Sequence, residues 1–293
     1  MKVYKNKKMQ QEILRTYDKL LVQWDVDIEE MDIETIYGMT HVIACGKKEN
    51  TPLILFHGVG DDSALMWVYN AKYLSRYYRV YAVDTIGGPG KSVPGELYNK
   101  EFEDVLWIDC ILDSLAIEKA FFAGVSHGGY LVQVYTLYRT HRVQKGISIS
   151  GAVSVGEKNS PIVTMMKVFL PEALFPTKKN VKRLIEKMCG ENSAAFTENN
   201  DIMEHFTYLL KGFNNMAMGY HKVRTFKEAE VNVIRDKIKF LVGREDPFEK
   251  LGGATALQEN CMSVTFYENA GHGLNHERAD QINAKIHEIF SMK

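Results

Sequence analysis

Three residues in this chain have the types, the order and the local settings for acyl-transfer chemistry: Ser126, Asp246 and His272. Ser126 is the centre of Gly124-Val125-Ser126-His127-Gly128, which follows the apolar run 120–123 and precedes a helix-compatible apolar segment. A serine on a sharp strand-to-helix turn projects its hydroxyl from the sheet edge. Side chains two residues before and after it would collide across the turn, so Gly124 and Gly128 are what the geometry asks for. The His127 amide, opening the helix, points at the carbonyl that Ser126 would attack and supplies half of an oxyanion hole. An isolated G-x-S-x-G string is equally an ordinary Gly/Ser turn, and the partners decide.

An activated serine needs a base, and the base needs an orienting carboxylate. Both stand just after apolar, strand-like runs: Asp246 after 237–242, and His272 in the loop after 262–267. Glu245 competes with Asp246 for the acid. Adjacent side chains on an extended strand end point in opposite directions, so one of the two faces His272. Asp246 is chosen because Pro247 biases it toward extended backbone, leaving Glu245 solvated or paired with Arg244 or Lys250. His276 is a weaker candidate base. The second oxyanion donor should come from His57-Gly58-Val59-Gly60, after the apolar run 53–56. The Val59 amide is the first choice and Gly60 the next, with His57 bracing the loop. Asp61 and Asp62 read as caps of the following helix.

The elements that must position these residues follow from periodicity. Residues 9–24 have helical apolar spacing at Ile13, Leu14, Tyr17, Leu20 and Leu21. Two alternating stretches, 26–36 and 40–44, form an edge hairpin. From 53 to 150, buried-type strands (53–56, 79–83, 120–123, 143–149) alternate with helical patterns (63–76, 101–116 and the segment after Ser126), which predicts a parallel sheet with helices on both faces. At Gly151 the pattern changes: 154–225 shows no strand-like run but helical segments rich in methionine and aromatics. Strand, helix, strand and helix then resume at 237–242, 248–260, 262–267 and 275–292. The expected division is therefore a core of 1–153, an inserted helical lid of 154–225, and the rest of the core, 226–293. Met165, Phe169, Phe206, Phe213 and Met216 are the lid residues expected to line an apolar pocket over Ser126.

Composition restricts the alternatives. The chain has 293 residues, 45% hydrophobic and 25% charged, with a formal net charge of −1. That overall balance gives no footprint for nucleic acid or an anionic membrane. No stretch reaches the apolar length of a membrane span. The four cysteines are scattered without metal-ligand spacing, so no metal is expected, and free thiols point to a reducing, cytoplasmic setting. Gly90-Lys91-Ser92 raises a phosphate-loop reading, but Thr85 stands where that loop needs its first glycine and Pro89 removes an amide donor.

With these motifs in view, the chain from about residue 30 to the end resembles the α/β-hydrolase superfamily. Tyr37–Ala44, Tyr81-Ala82-Val83-Asp84 and Lys91-Ser92 are similar to Bacillus-type carboxylesterases. The resemblance implies a mostly parallel eight-stranded sheet with helices on both faces, a helical cap between the sixth and seventh strands, and no cofactor. It departs from the family pattern after Asp84, where the D-x-x-G-x-G-x-S turn is one residue longer and should alter the pocket mouth. The expectation is a serine hydrolase of apolar carboxylic esters, acting through an acyl-enzyme. Hydrolysis of a C–C bond, lactone or amide uses the same constellation, and a ligand-binding regulator with slow turnover is the alternative of another class. Oligomeric state is not legible.

Overall fold

In the computed structural model, residues 2–155 and 161–292 are described. Nine strands make one sheet: β1 (Ile28–Thr35), β2 (Gly38–Cys45), β3 (Pro52–Phe56), β4 (Arg79–Val83), β5 (Val93–Pro94), β6 (Ala120–Val125), β7 (Val143–Ile149), β8 (Ile238–Gly243) and β9 (Ser263–Tyr267). Eight of them run in the order β1-β2-β4-β3-β6-β7-β8-β9, and the two-residue β5 adds to β2 off this path, a ninth strand beyond the eight expected. β1, β2 and β5 pair antiparallel; β4, β3, β6, β7, β8 and β9 are mutually parallel.

The central strands alternate between two apolar layers because successive side chains leave a strand on opposite faces. Leu53 and Leu55 of β3, with Ala123 and Val125 of β6, meet Tyr17, Trp24, Ile286 and Phe290 on one face. Ile54 and Phe56, with Ala120 and Phe122, meet Trp107, Ile108, Leu131 and Tyr135 on the other. Burying each such side chain is worth roughly 1.5–3 kcal/mol, so both helical layers are held firmly against the sheet. The N-terminal helix Lys7–Val22 buries Ile13, Tyr17, Leu20 and Leu21 as its spacing requires, and Asn6 caps it through the Met9 amide.

Three expected helices are interrupted. The segment 63–76 is two short pieces, Ser63–Met66 and Ala71–Leu74. The Met66 carbonyl, which a continuous helix would offer to the Asn70 amide, accepts from Asn275 Nδ2 at 2.7 Å, and the Asn70 amide turns to Trp67 instead. The segment 248–260 breaks at left-handed Gly252 (φ 103°), and 275–292 breaks at Arg278. Between β7 and β8 the described residues form helices and no strand, chiefly Pro161–Phe169, Lys178–Met188, Asn200–Gly212 and Glu228–Lys237. The Asn200–Gly212 helix packs along Lys7–Val22, while Glu228–Lys237 packs on the sheet side against His127–Tyr138 and β7.

Candidate active site

β6 runs into Ser126 and the His127–Tyr138 helix begins at the next residue. Ser126 sits at φ 55°, ψ −116°, a conformation that costs a residue with a side chain about 1–3 kcal/mol. The surroundings enforce it. A Cβ on Gly124 would stand 2.2 Å from the Gly128 carbonyl, and one on Gly128 would stand 2.3 Å from the Phe56 carbonyl oxygen. Both obstacles are backbone, so neither can yield to a larger residue.

His272 Nδ1 lies 2.8 Å from Asp246 Oδ2, while Asp246 Oδ1 accepts from the Phe248 amide at 2.8 Å. The carboxylate is thus oriented by its own loop, and the Phe248 ring packs edge-on against the imidazole, centroids 4.6 Å apart. Glu245 is exposed. Arg244, one of its expected partners, instead pairs with Glu268 at 3.3 Å, and the Lys250 side chain lies outside the described residues. His276 is buried and engages the Leu65 carbonyl at 3.0 Å; burial pushes its pKa down to about 4. With Nε2 engaged by that carbonyl, it is the weaker candidate base, as expected.

The loop after β3 presses its backbone onto the elbow, where a Cβ on Gly58 would come 3.4 Å from Ser126 Cβ. Among the described residues, neither the Val59 nor the His127 amide is taken by a protein acceptor. His57 Nε2 accepts from the Thr85 amide at 2.8 Å, so its Nδ1–H donates to the Gly58 carbonyl at 2.8 Å. That bracing role is the expected one, and burial lowers the His57 pKa so that the ring stays neutral. The His127 imidazole is buried, its Nε2 lacks a partner, and burial, with nearby His221, holds its pKa down to about 3.

A model of the alpha/beta hydrolase fold family matches residues 51–182. The uncharacterized carboxylesterase nap of Bacillus subtilis is 28% identical over 94% of this chain and 91% of its own length. Carboxylesterase YbfK of the same organism is 37% identical over 47% of this chain, which spans about half (46%) of that relative's length. The crystal structure of naproxen esterase from Bacillus subtilis superposes with a TM-score of 0.82 at 24% identity, covering 98% of this chain and 100% of that one. The chain has the α/β-hydrolase fold. It resembles the Bacillus carboxylesterases along nearly its whole length.

In this fold, Ser126, Asp246 and His272 share one cavity of about 730 Å³ with Val59 and His127. Phe169, Phe206 and Phe213 line it, as expected. Met216 does not. In the short turn Asn215–Met218 it is Ala217 and Met218 that point inward, leaving Met216 71% exposed. The Met165 side chain lies outside the described residues. The long turn after Asp84 also stays off the cavity. Asp84 is buried, accepting from Tyr17 Oη, the Ser63 amide and the Lys91 amide at 2.9, 3.0 and 2.7 Å.

Residues that sequence reasoning missed complete the walls and supports. Leu65 and Met66 of the core line the cavity. Glu277 accepts from the Gly271 amide at 3.0 Å and the Gly190 amide at 2.7 Å, which ties the His272 loop to the inserted helices. Burial raises its pKa, against the pull of those two amides. The His272 amide also donates to the Met188 carbonyl at 2.6 Å. No local motif marks Glu277; a carboxylate near a histidine loop was the one available signal.

Proposed function

We propose that this hydrolase cleaves apolar carboxylic esters through an acyl-enzyme formed on Ser126. The observation that carries the reading is the 2.8 Å contact of His272 Nδ1 with Asp246 in a cavity shared with Ser126. With Nδ1 held, Nε2 is the ring nitrogen free to take the Ser126 proton and return it to the leaving alcohol. Asp246 fixes that tautomer and stabilises the imidazolium. The unclaimed Val59 and His127 amides receive the oxyanion, the second at a helix N-terminus where partial positive charge accumulates; each such donor is worth about 10²–10³ in kcat. Water then repeats the cycle and frees the acid. Residues 154–225 act as a cap, and its Phe169, Leu170, Phe206, Leu209, Leu210 and Phe213 give the acyl group an apolar, water-excluding wall. The carboxylesterase relatives favour an ester over a C–C bond, lactone or amide.

The test is direct. A fluorophosphonate probe adds one label to the native protein and none to Ser126→Ala, and multiple-turnover hydrolysis of a short p-nitrophenyl ester falls by roughly 10⁴-fold or more in the variant. Equal labelling of Ser126→Ala removes the assignment, and a single turnover by native protein points to a receptor.

A further inference from the structure

The overall charge of −1 conceals a strongly segregated stretch. Residues 166–188 hold six basic side chains, Lys167, Lys178, Lys179, Lys182, Arg183 and Lys187, against two acidic ones, Glu172 and Glu186. The acids answer only two of the cations: Lys187 meets Glu172 at 2.5 Å, and Lys182 stands 3.9 Å from Glu186. Lys178, Lys179 and Arg183 are exposed and have no carboxylate within ion-pair distance among the described residues. The inner face of the Lys178–Met188 helix is apolar, with Val181, Leu184 and Ile185 buried, so its cations are all displayed outward.

Beside this cationic face stands an apolar tip. Leu174 is 62% exposed and Phe175 is 71% exposed. The tip is held rather than dangling: the Phe175 carbonyl accepts from the Thr177 amide at 2.7 Å and from Asn180 Nδ2 at 2.8 Å. The same stretch walls the active-site cavity through Phe169, Leu170, Ala173, Ile185 and Met188, and Met166 both lines that cavity and is 53% exposed to solvent. An exposed aromatic, exposed aliphatics and uncompensated cations on one side of the cavity wall match a surface that offers hydrocarbon beneath negative charge.

We propose that the outer face of residues 166–188 docks on an anionic lipid surface, with Leu174 and Phe175 inserted at its boundary and the basic side chains on its headgroups. A second copy of the chain fits this face poorly, because a two-fold contact would bring one net-positive patch against another. An acidic peptide would answer the charge but leaves the tip without hydrocarbon. Docked in this way, the cavity opens beside the phase in which apolar esters concentrate. The proposal stands apart from the ester reading, since the assay below scores binding and not turnover.

The full chain is sedimented with vesicles of phosphatidylglycerol or of phosphatidylcholine at 50 and 500 mM NaCl. Partition into phosphatidylglycerol should exceed that into phosphatidylcholine on the order of 100-fold at low salt, and should collapse at high salt as the charges are screened. Lys178→Glu with Lys179→Glu should weaken it about tenfold or more. Leu174→Ser with Phe175→Ser should also weaken it about tenfold, from lost apolar insertion. Thermal melts and hydrolysis of a short soluble ester, unchanged in both variants, exclude unfolding. The proposal is overturned if the native chain stays in the supernatant with phosphatidylglycerol. It is equally overturned if the Leu174/Phe175 variant binds as tightly as native, which would leave only polyanion attraction. Sedimentation velocity that shows a dimer dissolved by Phe175→Ser, without vesicle binding, would assign the tip to self-association.

Discussion

Replacing Asp246 by asparagine tests the acid assignment with almost no change in shape, and the structure dictates what the amide must do. Asp246 Oδ1 accepts from the Phe248 amide at 2.8 Å, while Oδ2 faces His272 Nδ1 at 2.8 Å. An asparagine has one acceptor and one donor end. Its carbonyl oxygen must take the Oδ1 place, because the opposite flip would set its NH₂ against the Phe248 N–H. The NH₂ then faces Nδ1, which must be unprotonated to accept it, so the ring carries its proton on Nε2 and cannot act as a base toward Ser126. The loss in kcat should approach the roughly 10⁴-fold seen for this exchange in an unrelated triad, about 5 kcal/mol of transition-state stabilisation. Glu245→Gln, at an exposed carboxylate, should change kcat by less than about tenfold, under ~1.4 kcal/mol. The assay is kcat on a p-nitrophenyl ester for both variants, beside thermal melts to show that each is folded. A crippled Glu245→Gln with an active Asp246→Asn would transfer the role to Glu245 and refute the argument.

Phe206→Ala should shift relative kcat/KM among C2, C4 and C8 esters by about 1–3 kcal/mol per methylene accommodated; a flat profile makes the inserted helices a cover without a role in selection. Asp61→Asn should stabilise the fold more at pH 8 than at pH 5. Burial, then the neighbouring Asp62, raises the Asp61 pKa, so the folded state holds a proton that the unfolded state releases above about pH 4, and stability is lost as pH rises toward the folded pKa. Equal melting shifts at both pH values would contradict this. Glu277→Ala should leave the Gly190 and Gly271 amides without their acceptor, at roughly 1–3 kcal/mol for each that stays unpaired. Both the melting temperature and kcat should fall, and Glu277→Gln, which keeps one acceptor, should recover part of each; a variant with native kcat would show that the His272 loop does not need this tie.

Most of the sheet was legible because a strand buried on both faces has no choice but a continuous apolar run, as in Leu53–Phe56, and because a helix lying on it must repeat Ile13, Tyr17 and Leu20 at helical spacing. The interruptions were not. The break after Met66 depends on Asn275, which reaches back across 209 positions to take a carbonyl, and no local pattern encodes that meeting. The same limit separates the parts of the site. Ser126, Asp246 and His272, which share one cavity, could be singled out because acyl-transfer chemistry asks for those residue types at strand ends. Glu277 could not, because it acts through backbone amides whose identity leaves no trace in sequence. Met216 was misplaced because apolar content says how much surface must be hidden, whereas the tight turn Asn215–Met218 decides which side chains are hidden. Net charge averages: −1 over the whole chain does not show six cations gathered within 23 residues.

Asp61 and Asp62 carry this limit to its end, since two identical neighbours shift in opposite directions. Asp62 accepts from the Leu65 amide at 3.0 Å and from His205 Nε2 at 2.7 Å, in a site where neither partner is exposed. Burial alone would raise its pKa, but His205 and the amide outweigh it and hold the carboxylate ionised. Among the described residues Asp61 accepts only the Asp62 amide, at 2.8 Å, and the adjacent negative charge adds to burial in favouring its proton. Sequence reads both as helix caps, and only Asp62 fills that role. His205, on the helix Asn200–Gly212, favours the charge on Asp62. The consequence reaches the cavity, because Asp61 lines it and Asp62 does not. With its proton favoured, Asp61 adds less negative charge beside the amides proposed to receive an oxyanion, where a carboxylate would oppose the charge that forms. Asp61→Asn should therefore keep esterase activity at neutral pH, and a large loss in that variant would mean that the ionised carboxylate does the work.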